Sequence, residues 1–336
     1  MTDHTKPLRW GLLSTSEFAE RKFIPGLRKS SLVDIVAVGS RDLRRARAFA
    51  DRLGIPTAYG SYEELIADPS IEVIYNPLPN DLHVEWTRRA AEAGKHVLCE
   101  KPMGMSAEEL AVLTPLADRV HIAEAFMVRF HPQWTETRAL IDGGGLGRVS
   151  HMHVAFAYTN TDAANIRNVV SAGGGALYDI GCYAVVAARW FFGAEPVRVA
   201  AVVDRDPGFG TDRLTSALLD FGDGRTCAFS VSTQSVPHQR IHVFGSSARL
   251  EMPIPFNQPP DAPAVYLVHD GSSLDGLDAV RHTIPANDQY TSQADAFCRR
   301  VRDEAPSRQP LLDAVANMRV IDAVFRSAQT GRFEPV

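Results

Sequence analysis

Cysteine is scarce in this chain of 336 residues: four occur, at Cys99, Cys182, Cys227 and Cys298. They are widely separated and form no Cys-x-x-Cys pair, which excludes a disulfide framework and a zinc site of the usual spacing. Long apolar runs are missing too. The most apolar helical stretch, Tyr183 to Phe192, contains Arg189 and falls far short of the roughly 20 residues that span a bilayer. The N-terminal Met1-Thr2-Asp3-His4-Thr5-Lys6-Pro7 is polar, with neither the apolar core nor the cleavage site of a signal peptide. A cytoplasmic protein with no membrane partner is the expectation. No dense Lys/Arg stripe is present, and 35 basic against 40 acidic residues give a net charge of −5, a poor balance for binding nucleic acid. There is no internal repeat and no low-complexity tract; Pro253 to Pro263 is a Pro-rich loop. Small molecules remain as the expected partners.

The length is about twice that of a usual domain, so two separate cores are expected. From Leu8 to about Ile122, strand-like runs (Arg9–Leu13, Leu32–Val38, Val73–Tyr75, His96–Cys99) alternate with helix-period segments (Phe18–Lys29, Leu43–Leu53, His83–Ala93, Ser106–Leu116). Strands joined by helices imply βαβ crossovers, hence a doubly wound parallel sheet over residues 1–122. After Glu124 a helix is expected from Gln133 to Ile141. Strand candidates then follow at 148–158, 197–203, 214–221, 226–232, 240–244 and 265–269, several joined by hairpin signals such as Phe221-Gly222-Asp223-Gly224. Residues 123–336 should therefore be an α+β domain with an antiparallel sheet, closed by helices at 287–302 and 311–329.

Four segments carry candidate chemistry. The turn after the first strand, Gly11-Leu12-Leu13-Ser14-Thr15-Ser16-Glu17-Phe18-Ala19, sits where a dinucleotide fold brings its backbone to a pyrophosphate. Ser14 and Ser16 stand at the first two fingerprint positions and Ala19 at the third; the same serines could simply cap a helix. The second strand ends in Gly39-Ser40-Arg41-Asp42, a hydroxyl and a guanidinium where a 2′-phosphate would sit, which favours NADP over NAD. Ser40 as a helix cap, Arg41 as a solvated charge and Asp42 as a ribose ligand are the other readings. Glu100-Lys101-Pro102 ends a strand at the carboxyl edge of the sheet, where ligands bind in such folds, though a plain charged strand terminus looks the same. In Gly173-Gly174-Gly175-Ala176-Leu177-Tyr178-Asp179-Ile180-Gly181-Cys182-Tyr183, Asp179 and Tyr183 are four apart on one helical face. A carboxylate and a phenol so placed suit proton transfer, or else a helix-dipole contact and a core aromatic.

Together these segments resemble the glucose-fructose oxidoreductase / inositol dehydrogenase / MocA family. The resemblance runs through Glu100-Lys101-Pro102, Tyr75-Asn76-Pro77-Leu78-Pro79-Asn80-Asp81-Leu82-His83, Ala93-Gly94-Lys95-His96-Val97, Glu124-Ala125-Phe126-Met127-Val128-Arg129-Phe130-His131-Pro132 and the Gly173–Tyr183 motif. It covers nearly the whole chain. It implies an N-terminal Rossmann domain, a C-terminal domain on a large open antiparallel sheet that mediates homodimers or homotetramers, and hydride transfer between NAD(P) and a sugar or cyclic polyol. Tyr183, where many members carry His, is similar to the branch of sugar ketoreductases, dihydrodiol dehydrogenases and xylose dehydrogenases. The chain departs from the family in Ser14 and Ser16 and in lacking the export segment of some glucose-fructose oxidoreductases.

What the resemblance implies is an NADP(H)-dependent ketosugar reductase, on a sugar or nucleotide-linked deoxysugar. A dihydrodiol or aldose (xylose, glucose) dehydrogenase is the runner-up, and a non-catalytic NADP-binding sensor or scaffold is the reading from another class. Tyr183 is expected as proton donor and Lys101 as the cation that stabilises the oxyanion and favours the phenolate, whose free pKa is about 10. Asp179 would position a substrate hydroxyl or Lys101, and Arg167 would contact substrate. Ser14, Thr15, Ser16, Phe18, Ala19, Ser40, Arg41, Pro77, Leu78, Asn80, His83, Glu100 and Lys101 would line the cofactor. Glu124 and Arg129 either line the cleft or pair structurally. His151 and His153 share a strand face without a third ligand, and no metal is expected.

Overall fold

The computed structural model describes residues 6–336; the polar start read above, Met1–Thr5, lies outside them. The chain forms two compact units. One takes the residues up to Met127 together with Asp288–Val315, and the other takes Val128–Asn287 with Ala316–Val336.

The first unit is built on six parallel strands, β1 (Leu8–Leu13), β2 (Val33–Gly39), β3 (Thr57–Tyr59), β4 (Val73–Asn76), β5 (His96–Cys99) and β6 (Ile122–Glu124), in the order β3-β2-β1-β4-β5-β6. Helices over both faces account for the continuous apolar runs of β1, β4 and β5. The helix Leu43–Leu53 begins where the sequence places it, because the Asp42 carboxylate accepts from the Arg44 and Arg45 amides (2.8 and 3.4 Å), and it stops at Gly54 with φ +60°. Other elements differ in their edges. The helix after β1 opens with a π-helical turn, Ala19–Phe23, and ends at Leu27, and the one after β4 starts at Asn80, three residues before His83. Residues 106–116 form only a 3₁₀ turn, Glu109–Leu113, since Pro115 just beyond it has no amide to donate to a further helical turn.

The core of this unit joins Trp10, Leu12, Phe23, Val38, Phe49 and Tyr75 to Phe297 and Cys298. Phe23 stacks on Tyr75 at 3.5 Å and Phe297 meets Trp10 edge-on at 5.7 Å. The helix Gln289–Asp303 is further tied down by Lys29 to Asp288 (2.7 Å) and by the Thr291 hydroxyl donating to the Gly26 carbonyl (2.7 Å). A single boundary at residue 122 therefore does not describe the contacts, for the chain returns to its first core near the end.

The second unit holds nine strands, β7 (Val149–Thr159), β8 (Arg198–Arg205), β9 (Asp212–Asp220), β10 (Thr226–Ser232), β11 (Gln234–Gly245), β12 (Arg249–Met252), β13 (Ala264–His269), β14 (Val280–Ile284) and β15 (Glu334–Pro335). Their order is β14-β13-β12-β11-β7-β10-β9-β8-β15. The sheet is antiparallel except for β7 and β10, which run parallel because a helical segment and two strands intervene before the chain returns beside β7. That segment, Leu177–Phe192, is a π-helical turn (Leu177–Gly181) continued as an α-helix (Cys182–Phe192). Residues 170–192 are long and apolar enough to cross a membrane by composition, yet Cys182 to Arg189 are all buried within this unit.

Candidate active site

In the first unit the candidate residues gather at the carboxyl ends of the parallel strands. β1 leads into Ser14, whose φ of +74° is a left-handed conformation that normally calls for glycine. Its amide donates to the Gly39 carbonyl (2.8 Å), and the Ser16 hydroxyl accepts from the Ala19 amide (3.4 Å). Thr15 is half-buried, Ala19 is buried, and Phe18 turns to Tyr290 edge-on at 6.0 Å. At the end of β2, Ser40 is buried and its hydroxyl accepts from the Asp42 amide (3.4 Å). Asp42, not Ser40, caps the following helix, which commits the carboxylate that could have taken a ribose and leaves Arg41, Arg44 and Arg45 exposed around it.

Sequence reasoning missed Tyr62. Its phenol lies within electrostatic reach of the Ser14 and Arg41 side chains, while Trp86 packs edge-on at 4.8 Å. Burial raises the phenol above its ordinary range while Arg41 and Arg45 pull it back down. No local pattern marks a Tyr that opens a short helix, Tyr62–Ala67, as the link between these loops.

The Lys101 turn is fixed from three sides. Tyr75 donates to Glu100 (2.7 Å), and Glu100 also accepts from the Lys101 amide (3.4 Å). Glu124, at the end of β6, accepts from the Met103 amide (2.8 Å), which assigns it a structural part. His83, 1% exposed, lies between the carbonyls of Leu78 (Nε2, 2.6 Å) and Pro102 (Nδ1, 2.7 Å), and the Lys101–Pro102 peptide is cis. Burial pushes His83 down to about 4, so at neutral pH it has one N–H to give and serves one carbonyl at a time. Asn76 completes the loop by donating to the His83 carbonyl (3.1 Å) and accepting from the Leu78 amide (3.3 Å). Pro77 and Asn80 are half-buried beside it.

In the second unit, Asp179 is the centre of a charged cluster. It accepts from the Tyr158 hydroxyl (2.5 Å) and pairs with Arg167 (3.0 Å). Asp179 beside it holds the Arg167 guanidinium above its ordinary range. Burial, then Asp179, pushes the Tyr158 phenol far up, so it stays protonated and donates. Tyr183 is 6% exposed, set between Phe156 (5.9 Å) and Phe256 (5.5 Å), and lies within electrostatic reach of Arg167. Tyr158 was missed in sequence because its partner lies 21 residues away. Arg129 stands over the Trp190 ring at 5.9 Å, and His151 stacks on Phe244 at 4.3 Å with His153 at 5.6 Å.

Residues 8–128 match the oxidoreductase family with an NAD-binding Rossmann fold, and residues 134–251 match the GFO/IDH/MocA C-terminal domain. The chain is 44% identical over 331 residues to the uncharacterized oxidoreductase ORF334 of Rhizobium meliloti, covering 98% of this chain and 99% of that one. It is 39% identical over 327 residues to D-xylose 1-dehydrogenase (NADP(+)) 2 of Haloferax volcanii, covering 96% and 98%. Among solved structures, a 3-ketoreductase of Actinomadura kijaniata in complex with NADP and TDP-benzene superposes with a TM-score of 0.87 at 28% identity, covering 96% of this chain and 98% of that one.

Proposed function

The chain belongs to the glucose-fructose oxidoreductase / inositol dehydrogenase / MocA family of oxidoreductases, and from that membership we propose that it is an NADP(H)-dependent reductase of a ketosugar. It acts on sugar-related substrates at the level of CH–OH and C=O. The observation that carries the finer reading is the Tyr158–Asp179–Arg167 cluster one helical turn from Tyr183, a set able to hold a polar substrate and pass it a proton.

The donor set of the first unit fits a dinucleotide bearing a 2′-phosphate. Ser14 adopts the conformation of a fingerprint glycine, and the end of β2 offers three guanidiniums and no uncommitted carboxylate. Ser14, Thr15, Ser16 and the Phe18–Ala19 turn would hold the pyrophosphate, and Ser40 with Arg41 the 2′-phosphate. Pro77, Leu78, Asn80 and Glu100 would shape the nicotinamide end, with His83 acting through the loop it holds. When bound, the cofactor supplies the hydride.

On the protein side, Tyr183 donates the proton that the carbonyl oxygen takes up, and accepts it in the reverse direction. Lys101 hydrogen-bonds that oxygen as it becomes alkoxide-like, where a cation is worth most. Arg167, a cation of Tyr183's own unit, lies within electrostatic reach of the phenol. Asp179 acts through Arg167, holding it so that its outer nitrogens meet substrate hydroxyls; the Arg167 side chain is 39% exposed.

NADPH oxidation followed at 340 nm over dTDP-ketosugars and free ketosugars tests the reading. Lys101→Ala and Tyr183→Phe should each bind NADPH as the parent does and lose most turnover, and unchanged turnover removes the residue from the mechanism. Arg41→Ala should weaken NADPH binding about tenfold, or 1.4 kcal/mol, with NADH little affected. A parent that prefers NADH tenfold overturns the cofactor assignment. The 39% identity to a xylose dehydrogenase favours a second reading, oxidation of an aldose with NADP⁺. It predicts turnover on D-xylose or D-glucose exceeding that on any ketosugar.

A further inference from the structure

We propose that Asp212, at the start of β9, is a positioning residue that fixes the helical segment carrying Asp179 and Tyr183. The proposal rests on the reading of those two residues given above. Asp212 is 1% exposed. Its Oδ2 accepts from the Leu177 amide at 2.7 Å and from the Thr215 hydroxyl at 2.9 Å. Leu177 opens the π-helical turn, so its N–H is one of the orphan donors at a helix start, and a negative charge there complements the helix dipole.

The backbone around this contact is shaped to admit it. Gly175 has φ +123°, and any Cβ at that position would overlap the Asp212 carboxylate. Its amide donates to the Arg167 carbonyl (2.9 Å), and its carbonyl accepts from the Asp179 amide (3.1 Å). At Gly174 a Cβ would lie 2.5 Å from the Arg167 carbonyl oxygen. One carboxylate, from a strand 35 residues on, thus locks the three-residue stretch that sets where Arg167 leaves its loop and where Asp179 leaves its helix. A Ser, Thr or Asn side chain caps a helix start without burying a charge, so a buried carboxylate here is a costly choice for a fold that needed only a cap. Its return is a stiffer, charge-assisted bond at the base of the reacting helix.

Displacement of a reacting group by about 1 Å costs on the order of 100-fold in rate, which sets the size of the effect sought. In the full chain, Asp212→Ala should lower kcat at least tenfold, leave the NADPH dissociation constant from fluorescence titration unchanged, and speed amide hydrogen exchange over residues 176–183. Asp212→Asn keeps an acceptor for Leu177 and should restore most of the turnover and the protection. Thr215→Val removes one of the two hydrogen bonds and should move kcat in the same direction by less, which keeps the test open where Asp212→Ala does not fold. Parental kcat in Asp212→Ala and Thr215→Val overturns the proposal, as does a fall in kcat with exchange over 176–183 unchanged. A parent that turns over no carbonyl substrate defeats the reading of the reaction instead, whereas an active parent beside an unaffected Asp212→Ala defeats the positioning role alone.

Discussion

At the residue scale, Asp212 is the group whose energetics can be followed furthest. Burial pushes its carboxyl up to about 6, against the hydrogen bonds from Leu177 and Thr215 that pull it down. The folded chain therefore binds this proton more tightly than the unfolded chain does. The stability tied to it is complete below about pH 4 and is lost as pH rises through 6, a loss on the order of 3 kcal/mol. Asp212→Asn carries no such penalty, so thermal melts of variant and parent should agree near pH 4 and diverge above pH 6, with the variant melting higher. A difference that does not change with pH would show the carboxylate ionised at no cost. Asp212, Tyr62 and Tyr158 were illegible in the sequence for one reason: each acts through a partner in another element, which no local period or spacing encodes. Lys101, Asp179 and Tyr183, the reacting set proposed above, could be nominated from sequence because they sit inside contiguous motifs.

At the element scale, what could be read was whatever had local punctuation. The helix Leu43–Leu53 has an Asp before it and a Gly after it, and both ends fell where the sequence puts them. The three-residue strand β3 has no period to detect, and β12 and β14 are short strands whose partners alone make them strands. The 106–116 segment shows the reverse case, a helix-like composition cut short by Pro115. The helix Gln289–Asp303 was visible as a helix, but its place was not, since an amphipathic face does not name the core it joins. Phe297 meets Trp10 in the first unit's core, so Phe297→Ala should cost about 3 kcal/mol, read as a lower denaturant midpoint. A fragment ending at Met127 lacks this helix and should give no cooperative melt; a sharp transition in that fragment would show the first core to be complete without residues 288–315.

At the scale of the whole molecule, the open face of the nine-stranded sheet bears on assembly. Across β8, β9, β10, β7 and β11 the registered row Val202, Ser216, Ser230, Ala155, Arg240 lies beside the row Ala200, Leu218, Ala228, His153, His242. Ser216, Ser230 and Ala155 fill the middle of the first row and Ala228 that of the second, Val202 is 74% exposed, and Arg240 and His242 stand at the Glu251 end. Such a surface lets a second flat sheet approach closely, and a two-fold axis would bring each patch against its own copy. We propose a homodimer, or a homotetramer built from it, closed through this face. A stable interface of this kind buries at least about 1,200 Å² in total, so one charge in its apolar part should be felt strongly. Light scattering of the parent at micromolar concentration should give at least twice the chain mass, and Val202→Asp should shift it to the monomer while dinucleotide binding, which belongs to the other unit, is retained. A monomeric parent, or a Val202→Asp variant with the parent's mass, would place the interface elsewhere or nowhere.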